Sequence, residues 1–248
     1  MVMYRKLRSQ FSRVFRRVSL VAAIGLLCAF GPPENGVPDV SRAGRFVITK
    51  ASYPPEILAR VRAVDEATRL TAVLLAQSDI KPIRAYREFL RKASDLPSAE
   101  AQLEAVNDYV NEHVMFVDDA NLYLGADVWA PPITTLMMGG DCEDLALLKS
   151  WGLERLGFSR QNLFLMVGVT SNTNPPAGHA VLAVRLPGGD FVLLDNTEQR
   201  VLTVNESKRF EPLYAVNTFG YWDVDDPSRS RDEVWRQALQ VAHGPDDR

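Results

Sequence analysis

Apolar residues recur at helical spacing through the first half of this chain and at strand spacing through the second. Ile57, Leu58, Val61, Val64 and Leu70 follow Pro54-Pro55 at intervals close to three or four. Proline is tolerated in a first turn, so a helix is predicted from there through Gln77. A shorter helix is expected after Pro82, and a third from Ser98, as its N-cap, to about His113, with Leu103, Val106 and Val110 on one face. From Val117 to Gly140 the periodicity vanishes, and Trp129, Pro131, Pro132 and Gly139-Gly140 punctuate a long connection of the kind that tends to carry function. Leu145, Leu148, Leu153 and Leu156, stopped by Gly157, then describe a helix that begins at or beside Cys142.

Beyond that helix the period shortens. Asn162 to Thr170, His179 to Leu186, Asp190 to Asp195 and Val201 to Val204 are rich in Val, Leu and Phe and separated by turn residues, which predicts strands. A last amphipathic helix is expected over Arg231 to Val241. Helices followed by an antiparallel sheet make an α+β fold. The turn Pro187-Gly188-Gly189 joins two of these strands most simply as a three-residue loop that pairs Leu186 with Asp190. In that register His179 faces Thr197 and Val181 faces Asp195, so His179 and Asp195 become diagonal neighbours, roughly 7–8 Å apart at Cα level.

Composition changes the picture mainly at the N-terminus. Residues 1–31 carry six basic side chains and no acid, then an apolar run from Val18 to Phe30. That is the grammar of an export signal, and a run of about 13 residues is shorter than the roughly 20 that span a bilayer. A cleavable signal is therefore expected over 1–31, with Ala29-Phe30-Gly31 near the cleavage site, a linker over 32–53, and one catalytic domain over 54–248. Removing the signal would take the formal net charge from -3 to about -9, which makes nucleic acid an unsuitable partner. It would also leave Cys142 as the one remaining cysteine of the chain's two.

A single thiol without a disulfide partner, set in Gly139-Gly140-Asp141-Cys142-Glu143-Asp144, reads as chemistry. At a helix start it meets the positive end of the macrodipole, and the free N–H groups there can hold an oxyanion. His179 and Asp195 follow in the order that supplies a base and its orienter to a thiol nucleophile. His113 and His243 read as helix-surface residues.

At these residues the chain resembles the bacterial transglutaminase-like cysteine proteinases of the LapG type. The likeness rests on Trp129-Ala130-x-Pro132, Gly140-Asp141-Cys142-Glu143-Asp144, Lys149, Leu153, Gly157, His179-Ala180-Val181-Leu182-Ala183 and Leu193-Leu194-Asp195-Asn196. It implies a papain- or transglutaminase-like fold, with N-terminal helices and a nucleophile-bearing helix packed on an antiparallel sheet. It also implies a periplasmic cysteine peptidase with Cys142 as nucleophile, His179 as general base and then acid, and Asp195 as orienter. Calcium dependence follows from the same resemblance, with Asp141, Glu143 and Asp144 as ligands. So do a large surface adhesin as substrate, a part in attachment and biofilm, and an inner-membrane regulatory partner.

Physical chemistry agrees on calcium, since carboxylates around a thiol oppose thiolate formation and a bound cation would cancel their field. The chain departs from the LapG pattern at Leu122 to Trp129 and at Leu145, which leaves the three catalytic positions in place but bears on the cleft. Two other functions remain open on the sequence: acyl transfer to an amine through the same thioester, and a calcium-responsive binding protein without turnover.

Overall fold

The computed structural model describes residues 40–124, 127–171 and 176–227. The N-terminal basic and apolar segment and the helix expected over 231–241 lie outside them. Eight strands form one antiparallel sheet, ordered β1-β2-β8-β7-β3-β4-β5-β6. They are β1 (Val40–Ala43), β2 (Phe46–Ala51), β3 (Leu163–Thr170), β4 (Ala177–Arg185), β5 (Phe191–Leu194), β6 (Leu202–Thr203), β7 (Phe210–Asn217) and β8 (Gly220–Asp225). The helices are α1 (Pro55–Gln77), α2 (Lys81–Ala93), α3 (Ala99–His113), α4 (Asp119–Leu122), α5 (Pro132–Met138) and α6 (Cys142–Arg155).

Helix boundaries follow local chemistry. Pro55 opens α1, and Ser98 caps α3 by accepting from the Ala101 N–H at 3.2 Å. Arg87 of α2 donates to the carbonyls of Leu75, Ala76 and Ser78, satisfying oxygens at the end of α1 that have no partner within the helix. Gly157, with φ of 97°, turns the chain out of α6.

The sheet buries both faces, as the near-continuous apolar strands β3 and β4 require. On one face Leu165, Ala180, Leu182, Val184 and Leu194 pack against Val64 of α1, Leu103 and Val106 of α3, and Ala146 and Leu153 of α6. On the other, Phe164, Met166, Val181, Ala183 and Leu193 meet Phe46, Ile48 and Trp222.

Besides β7 and β8, which the sequence reading did not foresee, two regions differ from the sequence expectation. Residues 40–51, placed in a linker, form the β1–β2 hairpin, and β2 pairs with β8 at the sheet's edge. Phe46 and Ile48 alternate with less buried neighbours, a period of two that proline and glycine upstream obscured. The connection before Cys142, expected to be irregular, contains the short helices α4 and α5.

Candidate active site

Three peptide segments converge at the start of α6. The first is the chain from Met115 to Asp119. Gly140 donates its N–H to the Met115 carbonyl at 3.2 Å, and Val117 donates to the Gly140 carbonyl at 3.0 Å. Phe116 and Gly140 thus form a parallel bridge. Gly139 turns with φ of 80°, and a Cβ there would collide with the Met115 carbonyl, so glycine is what permits the approach. This bridge sets Asp119 beside Asp141, the residue that precedes α6.

The second segment is the first turn of α6. Cys142 packs with Ala180 and Ala146 on the helical face of the sheet, and its Sγ donates to Glu143 Oε2 at 3.2 Å. Burial, the charge and hydrogen bond of Glu143 and the charge of Asp141 push the thiol well above its ordinary range, against a smaller opposing contribution from the Ala180 backbone N–H. Burial and its acidic neighbours therefore favour the protonated thiol, whose hydrogen bond is to Glu143.

The third segment is the β4–β5 hairpin. Leu182 pairs with Leu194, Ala183 with Leu193 and Val184 with Val192, the register expected from the Pro187-Gly188-Gly189 loop. Leu186 donates to the Asp190 carbonyl at 2.8 Å, which closes that loop as expected. Pairing stops at Leu182, so at His179 this edge of β4 is met by the loop after β5. There His179 Nε2 and Asp195 Oδ1 lie 2.8 Å apart, and both side chains are buried. The same oxygen accepts from Thr197 N at 2.8 Å and Thr197 Oγ1 at 2.9 Å. Burial alone would raise the Asp195 carboxyl, but these bonds and the charge of His179 outweigh it and hold it below the usual range. With Nε2 committed to Asp195, Nδ1 is the ring nitrogen left to exchange a proton.

His179 is steadied from behind. Its ring meets Phe210 edge-on at 5.8 Å, and its strand partner is Gly168. At Gly168 the β3–β7 register shifts, and an added Cβ would strike the Glu211 carbonyl and sit 2.6 Å from Pro212 Cα. The absence of a side chain there brings β7, and with it Phe210, close to the imidazole.

Asp119, Asp141 and Glu143 each offer a carboxylate oxygen within 4.8 Å of the others, a group that could hold a metal ion. Asp119 Oδ1, Asp141 Oδ1 and Asp144 Oδ2 are buried without a hydrogen-bond partner, oxygens that a cation could satisfy. Burial and the neighbouring charge of Glu143 push Asp141 up to about 8, and burial raises Glu143 and Asp119 too. Asp144 lies outside this group of three. Two residues beyond Cys142 on a helix it points away from the thiol, and it accepts from the Ala130 N–H at 2.6 Å, wholly buried. Burial brings it up to about 7.

The sequence patterns missed Asp119. Its only local signal is the acidic pair Asp118-Asp119 in an aperiodic stretch, and the contact that recruits it is the long-range bridge at Phe116.

Comparison with known proteins bears on this arrangement. The family model described as bacterial transglutaminase-like cysteine proteinase matches residues 86–214, just over half of the 248. No curated protein matches the chain. Calcium-bound LapG of Legionella pneumophila shares 24% identity, with 66% of this chain and 87% of that one covered at a TM-score of 0.52. Two further structures of that protein, one of them treated with EGTA, match over 70% of this chain and 97% of theirs at 24% identity and a TM-score of 0.50.

Proposed function

Because the chain belongs to the bacterial transglutaminase-like cysteine proteinases, and is therefore a cysteine peptidase, we propose that it is an exported, periplasmic endopeptidase that works through Cys142, His179 and Asp195. The observation that carries this reading is the buried His179–Asp195 hydrogen bond of 2.8 Å, held on a strand against which the start of the Cys142 helix packs.

Catalysis begins when the imidazole, through Nδ1, takes the Cys142 proton. The thiolate attacks the scissile carbonyl carbon, forming a C–S bond while N–H groups at the start of α6 receive the oxyanion. The imidazolium, stabilised by the Asp195 carboxylate, protonates the leaving nitrogen as the C–N bond breaks. Water then attacks the thioester, giving its proton to His179, and the C–S bond breaks to return the thiol.

Asp119, Asp141 and Glu143 would hold a divalent ion, and calcium suits three carboxylates with partnerless oxygens. The calcium-bound state of the Legionella LapG structure supports the same choice of ion. Bound there, the cation would supply positive charge that offsets the field opposing the thiolate. Substrate and setting follow the family resemblance: a large surface adhesin cut in an accessible segment, with effects on attachment, and a regulatory protein at the inner membrane.

Iodoacetamide labelling of Cys142 against pH, with calcium or EGTA, tests the reading. Labelling well below the free-thiol range of about 8.5, dependent on calcium and lost in His179→Ala, is the expected outcome. Ordinary thiol behaviour under every condition would refute it.

A further inference from the structure

Helix α6 carries, besides Cys142, a lysine that the reaction described above does not use. Lys149 follows Cys142 by seven residues, almost two full turns, and so lies on the same stripe as Cys142, Ala146 and Leu153, facing the sheet. Its side chain is 0% exposed. The ammonium donates to Asn107 Oδ1 of α3 at 2.8 Å and to the Leu194 carbonyl at 3.4 Å, one residue before Asp195. A buried ammonium costs stability where a methionine of similar length would cost none, so the charge calls for an explanation beyond filling space. Burial drives Lys149 down to about 7 against the pull of its two charged neighbours, Asp195 and Asp108.

Helix α3 grips the same loop. Asn107 Nδ2 donates to the carbonyls of Glu198 and Gln199, at 3.2 and 3.3 Å. One turn on, Asn111 Nδ2 donates to the carbonyls of Asp195 at 2.9 Å and Glu198 at 3.1 Å. One turn back, Glu104 accepts from the Val201 N–H at 3.1 Å. Positions 104, 107 and 111 form one polar stripe along the helix, and every bond it makes to the loop is to backbone. Such contacts fix where the loop lies without touching the Asp195 carboxylate.

We propose that Lys149, with Asn107 and Asn111, forms a clamp that positions Asp195: it ties the loop orienting the imidazole to the helix that carries the nucleophile, so that the two halves of the site hold one spacing. These are positioning residues, since none touches the reacting atoms. The proposal rests on the Cys142, His179 and Asp195 reading. It predicts that loosening the clamp lets the Asp195 loop drift, weakening the imidazole hydrogen bond and leaving Cys142 less readily activated, while the fold stands.

The test uses the full chain in saturating calcium, with iodoacetamide as probe and labelling at Cys142 resolved by peptide mass, beside proton NMR of the hydrogen-bonded ring N–H of His179. Lys149→Met is expected to slow labelling at least ten-fold and to broaden or abolish that downfield resonance in a chain that still unfolds cooperatively. Asn111→Ala should do the same to a smaller extent, and it decides the matter should Lys149→Met fail to fold. Labelling and resonance both unchanged in a folded variant would overturn the clamp. His179→Ala separates the two ideas. If it abolishes fast labelling while the clamp variants do not, the clamp fails alone; if it changes nothing, the catalytic reading fails with it.

Discussion

Adding calcium to the metal-free protein should expel a proton, and the number expelled can be worked from the site. Asp141 is pushed up to about 8 by burial and by Glu143, so at pH 7 its carboxyl is about nine-tenths protonated. A cation can use that carboxylate only once the proton leaves, so binding at pH 7 should release about 0.9 proton from Asp141, besides any held by Glu143 and Asp119, and much less at pH 9. Apparent affinity should rise nearly ten-fold from pH 6 to 7 and level off above about 8.

Calorimetric titration of calcium in two buffers of different ionisation enthalpy gives the proton count directly. No release at pH 7, together with an affinity indifferent to pH, would refute the assignment of Asp141 to the metal. Asp141→Asn should abolish most of the release.

The same shift has a stability consequence whose sign is unusual for an acid. Its folded value lies above the unfolded 3.8, so its contribution is complete below about pH 4 and is lost as pH rises through about 8. Four units would be near 6 kcal/mol, but the side chain is only half-buried, and solvent screening reduces this to about 2–3 kcal/mol. In EGTA the melting temperature should therefore fall by some ~5–10 °C across that window, and calcium should remove most of the slope.

Other outcomes follow from single contacts. Asp119→Ala should cut the calcium-induced stabilisation, about 2.7 kcal/mol at a hundred times Kd for an intact site and read as a rise in melting temperature, whereas Ser98→Ala should leave that rise alone. Ser98→Ala itself should cost about 1 kcal/mol through loss of the α3 cap, seen as a fall of about 2–4 °C in a thermal melt. Gly168→Ala places a Cβ against the backbone of Glu211 and Pro212, which cannot yield cheaply. It should cost about 1–3 kcal/mol and also slow labelling of Cys142, because Phe210 shifts against His179. Asp195 carries the ordinary acid sign. Its stabilisation is present above the unfolded value of 3.8 and is lost as pH falls through its lower folded value, so Asp195→Asn should flatten the acid limb of a stability–pH curve.

Much of the site was legible because it is built from local rules. The apolar spacing after Pro54, the Ser98 cap and the Gly157 stop placed α1, α3 and α6 within a residue or two, and one turn of fixed length set the register of β4 and β5. From that register alone His179 and Asp195 fell within reach of each other. What escaped was set by contacts distant in sequence. Strands β7 and β8 went unread, and in β7 Pro212 and the register shift opposite Gly168 break the alternation that marks a strand.

The acids show where adjacency in sequence is incomplete. Asp141, Glu143 and Asp144 flank the thiol, and a reading along the chain groups all three. A helix advances about 100° per residue, however, so consecutive side chains of a first turn diverge. Asp144 Oδ1 accepts from the Ala130 N–H while its Oδ2 is buried without a partner, and the carboxylate grouped with Asp141 and Glu143 is that of Asp119. The bridge at Phe116 and Gly140 that delivers it also ends one residue before Asp141 and two before Cys142. Anything that draws Asp119 and Asp141 together, a cation above all, would therefore pull on the first turn of the helix that carries Cys142. With a cation bound there, occupancy of the acidic group and the setting of the thiol would be linked by backbone as well as by charge. A Gly139→Ala chain tests the backbone link, for it strains the turn that lets the bridge form while removing no carboxylate, and saturating calcium offsets any loss of affinity. If charge alone couples calcium to Cys142, labelling in that variant should recover fully at saturating calcium; if backbone geometry contributes, it should remain slow.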